Sequence, residues 1–345
     1  MARVDGKPAA RAGDAGLPAG PDPDAAVEVR ALEKHYGEVA AVDGVTFSVA
    51  PGEVFAFLGP NGAGKSTTIK ILCTLADPTA GSAWVAGHDV VTEPQAVRLH
   101  IGLVFQEQTL DDQLTADENL RFHAVMYRVP RRERSARIAR VLELVDLSDR
   151  RHDLVSTFSG GMARRLEIAR AMLHTPSVLF LDEPTIGLDP QTRALMWDDV
   201  LGMRAEEEVT VFLTTHYMEE AEVADRIAII DQGRIVALDT PEALKATIGK
   251  DTVDLHTADD PAALAAIRDA GYRAEEGEGV VTVFTENGED HVARLVEVVG
   301  GGVATVHVHR PTLDDVFMHY TGRQIRDVGG ETRSAMARAW GARRR

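Results

Sequence analysis

The chain has 345 residues, 44% hydrophobic and 26% charged, with a net charge of −17 and a single cysteine, Cys73. That length can bury two cores, one cysteine excludes a disulfide framework, and the acidic balance argues against nucleic-acid binding, which leaves a basic footprint. No apolar run reaches the roughly 18 residues that span a bilayer, and the first residues show no signal-type apolar segment.

In chain order, residues 1–25 are rich in Ala, Gly, Pro and Asp without periodicity and are expected to be disordered. Val27–Ala31 and Val45–Val49 alternate like strands of an antiparallel edge sheet. VFAFL, Val54–Leu58, reads as a buried strand, and STTIKILCTL, Ser66–Leu75, as a helix that places Cys73 in the core. Residues 115–145 read as helix interrupted at Pro130, and Gly160–Leu173 as an amphipathic helix. Ser177–Leu181 is a short buried strand, Thr192–Met203 helical, Val209–Thr214 a strand and Met218–Val223 a short helix. Arg226–Ile230 and Arg234–Leu238 form a hairpin. Strands alternating with helices predict an α/β fold with a mostly parallel core sheet.

A second α/β unit begins near residue 249. Val253–His256, Val280–Phe284 and Ala304–Val308 read as strands. Asp260-Pro261 opens a helix that Gly271 closes, 290–299 is another, and Pro311–Tyr320 reads as a closing helix. His256, His307 and His309 fit one strand face better than a zinc site. Residues 326–345 carry six arginines and Trp340, and read as a disordered basic tail or a weak contact with anionic lipid.

The chemistry concentrates in three places. GPNGAGKS, residues 59–66, fits G-x-x-x-x-G-K-[ST] between the strand and the helix. Gly59, Gly62 and Gly64 let backbone N–H groups turn toward an anion, and the following helix N-terminus favours negative charge. Lys65 can reach terminal phosphates and Ser66 can offer a hydroxyl to Mg²⁺. The chain is therefore expected to bind ATP or GTP. Asp182 and Glu183 end a strand as adjacent acids, suited to metal tether and general base. FSGGM, Phe158–Met162, is a second glycine-rich helix start with Ser159 as its cap, which by itself also fits a plain helix cap. Arg164 and Arg165 behind it are expected to be solvated.

Together these motifs resemble the nucleotide-binding subunit of an ABC transporter over about residues 26–245. Gln106 stands in the place of the Q-loop glutamine, and FSGGM resembles the family signature. Gly187-Leu188-Asp189 resembles the D-loop, Thr215-His216 the switch histidine, and Tyr36 sits where the adenine-stacking aromatic lies. Phe158 and Met162 depart from the commonest signature. The runs at 104–120, 215–222 and 311–323 narrow the resemblance to ATPase subunits of daunorubicin-type antibiotic exporters.

The resemblance implies a P-loop NTPase cassette at 26–248, with an antiparallel edge sheet and a helical subdomain at about 107–160. A small C-terminal α/β domain would follow at 249–325. It implies ATP and Mg²⁺ as cofactors, with Gly59, Pro60, Asn61, Gly62, Ala63, Gly64, Lys65, Ser66, Thr67 and Tyr36 on the nucleotide. Ser159, Gly160, Gly161 and Asp189 would come from a second copy, head to tail. Glu183, His216 and Gln106 would act in hydrolysis, and Ser66, Gln106 and Asp182 would hold the metal. The implied partners are an integral membrane permease and a second copy of the chain, with no nucleic acid, and the chain itself would lie peripherally on the cytoplasmic side of the cell membrane. The implied cargo is a drug or related hydrophobic compound; a lipid, glycan or ion, or a soluble ATPase acting on ribosomes or DNA, are the alternatives.

Overall fold

The computed structural model describes residues 20–322 except residue 278. The expected disordered start falls outside these residues up to position 19, as does the basic tail. Residues 20–25, expected to lack structure, are held: Arg30 donates to the Gly20 carbonyl at 2.9 Å, and the Asp22 N–H donates to Glu28 at 2.7 Å.

The chain first runs through β1 (Val27–Tyr36), β2 (Val39–Val49), β3 (Val54–Leu58), α1 (Lys65–Leu72), β4 (Ala80–Val85), β5 (His88–Asp89), α2 (Pro94–His100) and β6 (Ile101–Val104). Helices α3 (Ala116–Met126), α4 (Arg131–Leu144) and α5 (Gly160–Met172) follow. Next come β7 (Val178–Asp182), α6 (Pro190–Glu207), β8 (Thr210–Thr215), α7 (Met218–Ala221), β9 (Arg226–Asp231), β10 (Arg234–Asp239) and α8 (Pro241–Ile248). The last part is β11 (Asp251–Thr257), α9 (Asp260–Asp269), β12 (Arg273–Gly277), β13 (Val280–Thr285), α10 (Gly288–Val299), β14 (Val303–His309) and α11 (Leu313–Thr321).

Three sheets result. The central one has order β10-β9-β3-β8-β7-β6, parallel except for the β9–β10 hairpin. An antiparallel sheet, β2-β1-β4-β5, lies beside it. Strand β3 shows why both are needed. It is buried on both faces, with Phe55 and Phe57 in the cluster under the antiparallel sheet and Val54, Ala56 and Leu58 in the cluster under the helices. Phe47 stacks on Phe55 at 5.3 Å between ring centroids, and Phe212 lies 5.5 Å from Phe55, so aromatic packing joins the two sheets. Cys73 caps α1 inside this cluster, where burial pushes its thiol up.

The helices start where the side chains dictate. Thr115 and Glu118 form a capping box at α3, Pro130 separates α3 from α4, and Asp189 caps α6 ahead of Pro190. Elements β4 to β6 and the charged edge strand β12 were not anticipated from the sequence.

The third sheet is antiparallel, order β12-β13-β11-β14, a split β-α-β pattern with α9 and α10 packed on its apolar face. On it His256 meets the Gly279 carbonyl at 2.8 Å and His309 lies 3.3 Å from Asp254. Helix α11, expected to close this unit, instead packs on α8. Leu313, Val316 and Phe317 join the cluster that contains Leu244 and the central sheet. Capping by Thr312 and Asp315 starts it.

Candidate functional site

The carboxyl ends of β3 and β7 and the start of α1 meet at one cavity of about 420 Å³. Gly64 sits at φ +110 as the cap of α1, and a side chain there would strike the Ala41 carbonyl at 2.4 Å. A side chain at Gly59 would lie 2.3 Å from the Ile230 carbonyl. The loop can therefore pack this closely only with glycine, which leaves its amides lining the cavity.

Lys65 is buried and donates to the Gly59 and Pro60 carbonyls at 2.8 and 3.2 Å. Its Nζ also lies 3.1 Å from Glu183. Burial lowers the Lys65 pKa despite that carboxylate beside it. Ser66 donates to Asp182 Oδ1 at 3.1 Å, and Thr214, from β8, donates to the same oxygen at 2.6 Å.

Glu183 is the strained residue of the site. Its φ of +48 lies in the left-handed region, where a glutamate gains nothing from its side chain. The surroundings over-determine it: its N–H donates to the Thr214 carbonyl at 3.1 Å, and its own carbonyl accepts from Arg164 at 3.3 Å. His216 Nδ1 lies 3.4 Å from the carboxylate. Burial raises the Glu183 pKa, but the hydrogen bond to His216 and the Lys65 charge outweigh it and bring it down to about 2. The carboxylate is thus ionised at neutral pH, and Lys65 and His216 hold it in that form.

Tyr36, Gly62, Gly64, Lys65, Ser66, Thr67, Asn61, Gln106 and Glu183 line this one cavity. His216 joins them through Glu183, and its ring packs on Tyr217 at 4.1 Å. Ser159, Gly160, Gly161 and Asp189 do not line it. They form a second patch on the same chain: Ser159 caps α5 by accepting from the Met162 N–H at 3.2 Å. Asp189 caps α6 through Thr192 at 3.0 Å, and a side chain on Gly161 would hit Thr192 at 2.2 Å.

Sequence reasoning missed Thr214, one of three threonines in the buried strand β8. It also placed Arg164 in solvent, whereas Arg164 is buried and reaches the carbonyls of Phe105, Glu183 and Pro184. Arg164 has no nearby sequence partner except Glu167, one turn on, and that i, i+3 pair was the available signal.

A phosphate-binding loop, an acidic strand end and a glycine-started helix on this sheet order define the nucleotide-binding subunit of an ATP-binding cassette transporter. Residues 42–186 match the ABC transporter family, and residues 240–321 match the ATP-binding protein DrrA1-3-like C-terminal domain. The chain is 42% identical over 314 residues to the daunorubicin resistance ATP-binding protein DrrA3 of Streptomyces coeruleorubidus, covering 88% of this chain and 99% of that protein. It is 39% identical over 307 residues to the Nod factor export ATP-binding protein I of Burkholderia orbicola (strain AU 1054), covering 88% and 99%. The dimeric structure of a post-hydrolysis state of the ATP-binding cassette MJ0796, bound to ADP and Pi, aligns with a TM-score of 0.56 at 28% identity, covering 62% of this chain and 98% of that one. The chain belongs to the family of ABC transporter ATP-binding proteins that carry a DrrA-like C-terminal domain. It binds nucleotide and is an ATPase.

Proposed function

We propose that this chain powers export of drugs or related hydrophobic compounds through a separate membrane-spanning partner, working as a head-to-tail pair at the cytoplasmic face of the cell membrane. The observation that carries it is the split of the site. The cradle, Gln106 and Glu183 line one cavity, with Asp182 bonded to Ser66 beside it, while the second anion-favouring helix start, at Ser159 on the same chain, does not line it. A second copy supplies that missing wall.

In this reading Tyr36 stacks on adenine, and the loop amides and Lys65 hold the phosphates. Lys65 exchanges its contact with Glu183 for phosphate oxygens, which frees the carboxylate to polarise the attacking water. His216 steadies Glu183, and Asp189 lies at the seam. Ser66 and Asp182, hard oxygens 3.1 Å apart, fit a Mg²⁺ site that Gln106 completes. The metal would offset phosphate charge.

A groove of about 480 Å³ opens on the other side of the Gln106 loop, walled by Leu75, Phe122 and Met126, with Phe105 in it. Phe122 is 66% exposed and Met126 62%. Consecutive residues, Phe105 and Gln106, thus face the groove and the nucleotide cavity. A cytoplasmic segment of the membrane partner fits this apolar groove and would sense the nucleotide through that one peptide. No helix among the described residues is long and apolar enough to cross a membrane itself. The resistance relatives favour a drug as cargo, while the relative named for Nod factor export favours a second class of exported compound.

Mixing two dead variants tests the shared site. Lys65→Ala and Ser159→Arg should each lose ATP hydrolysis. An equal mixture should regain about a quarter of wild-type activity, since half of random pairs are mixed and each holds one intact site. Full activity of either variant alone refutes the reading.

A further inference from the structure

Arg164 lies one turn into α5, behind the Gly160–Gly161 start, and is only 7% exposed. Its guanidinium reaches three carbonyls on two segments. It donates to the Phe105 carbonyl, to the Pro184 carbonyl and, at 3.3 Å, to the Glu183 carbonyl. Glu167 balances its charge at 2.9 Å and is itself buried. The Glu167 carboxylate then accepts from the Thr109 N–H at 2.7 Å and the Thr109 hydroxyl at 3.0 Å. One ion pair therefore grips the Gln106 loop at both Phe105 and Thr109, and the turn that follows Glu183.

We propose that Arg164 is a positioning residue for hydrolysis, fixing the loop that carries Gln106 and the turn that carries Glu183 relative to each other. The inference rests on the role given to Glu183 above. Stability alone does not account for the pair, because a buried ion pair commonly contributes no more than well-packed apolar groups. Geometry does account for it. A guanidinium presents five donors in a rigid fork and can serve carbonyls in different loops at once, whereas an ammonium is a point charge. The strained backbone of Glu183 also needs its carbonyl held, and Arg164 is the side chain that holds it.

Arg164→Lys in the full chain tests this by steady-state ATP hydrolysis, binding of a fluorescent ATP analogue and thermal melting. Displacing Glu183 should lower kcat by about 10²-fold. The KM for ATP and analogue affinity should stay within about threefold, because the phosphate cradle is untouched. A wild-type kcat, or a loss confined to KM, overturns the proposal. Should the lysine variant not fold, Thr109→Val loosens the same loop from Glu167 without touching the arginine. It should lower kcat about three- to tenfold at unchanged melting temperature, and an unchanged kcat overturns the proposal. Glu183→Gln in the same assay separates the two levels. If it hydrolyses ATP fully, the role of Glu183 fails and this inference with it. If it is inactive while both positioning variants run at wild-type rate, only this inference falls.

Discussion

From Glu53 to Glu220, the part of the chain around the nucleotide cavity buries fourteen polar or charged side chains; in the small third sheet, among the described residues, Thr285 stands alone. The small sheet is packed by apolar groups such as Val253, Leu255, Val281 and Leu295, which need no partners. The larger part holds Lys65, Glu183, Arg164, Glu167 and Glu220 out of water. Each of those carries a desolvation cost that only specific partners offset. Where burial is costly the structure does chemistry, and where it is apolar it holds shape.

The largest expected break of this contrast is Glu183→Gln. Loss of a general base costs about 10²–10⁴-fold in rate, so turnover should collapse while ATP binding persists. A variant that hydrolyses ATP normally would dissolve the distinction. Next is Phe317→Ala. This residue follows the small sheet in sequence but is buried in the cluster of the central sheet. Truncating a buried phenylalanine costs about 3–5 kcal/mol, and calorimetry should show the loss in the nucleotide-stabilised transition. A loss that ATP does not modulate would assign α11 to the other side.

The smallest effect concerns Glu220, a buried carboxylate whose nearest arginine contact, Arg193 Nε, is 3.9 Å away. Burial, with Glu183 nearby, raises its pKa from 4.5 to about 7 against the pull of Thr215, Arg193 and His216. The folded state thus holds its proton more tightly than the unfolded state. Stability from this group is full below about pH 4.5 and falls as pH rises toward 7. Glu220→Gln removes that loss, so it should stabilise the protein by about 3 kcal/mol at pH 8 and by nothing at pH 4. Equal urea midpoints for both proteins at pH 8 would show that the carboxylate is better solvated than its burial implies.

The sequence made the phosphate loop, Asp182, Glu183 and the FSGGM helix start legible because each is local: the residues that make the feature are neighbours in the chain. Arg164 was illegible because its carbonyl partners come from Phe105 and from the Glu183 turn, and an Arg-Arg pair on a helix reads as solvated surface. Thr214 was hidden for the same reason, since its meaning depends on Asp182 in the neighbouring strand. Strand β12, Arg-Ala-Glu-Glu-Gly, shows no apolar alternation because it is an exposed edge. The return of α11 to α8 followed no local signal; its apolar stripe would suit either neighbour.

That return has an architectural consequence. The chain leaves α8 through Ile248, Gly249 and Lys250 and comes back through His309, Arg310 and Pro311, and these two passages flank one cavity. The small sheet therefore hangs from a double stalk, like a pendant clasped at both ends. It could be exchanged for another fold or for a short peptide bridge with α11 left seated, and a label fused behind α11 would emerge beside the motor and not at the tip of the pendant.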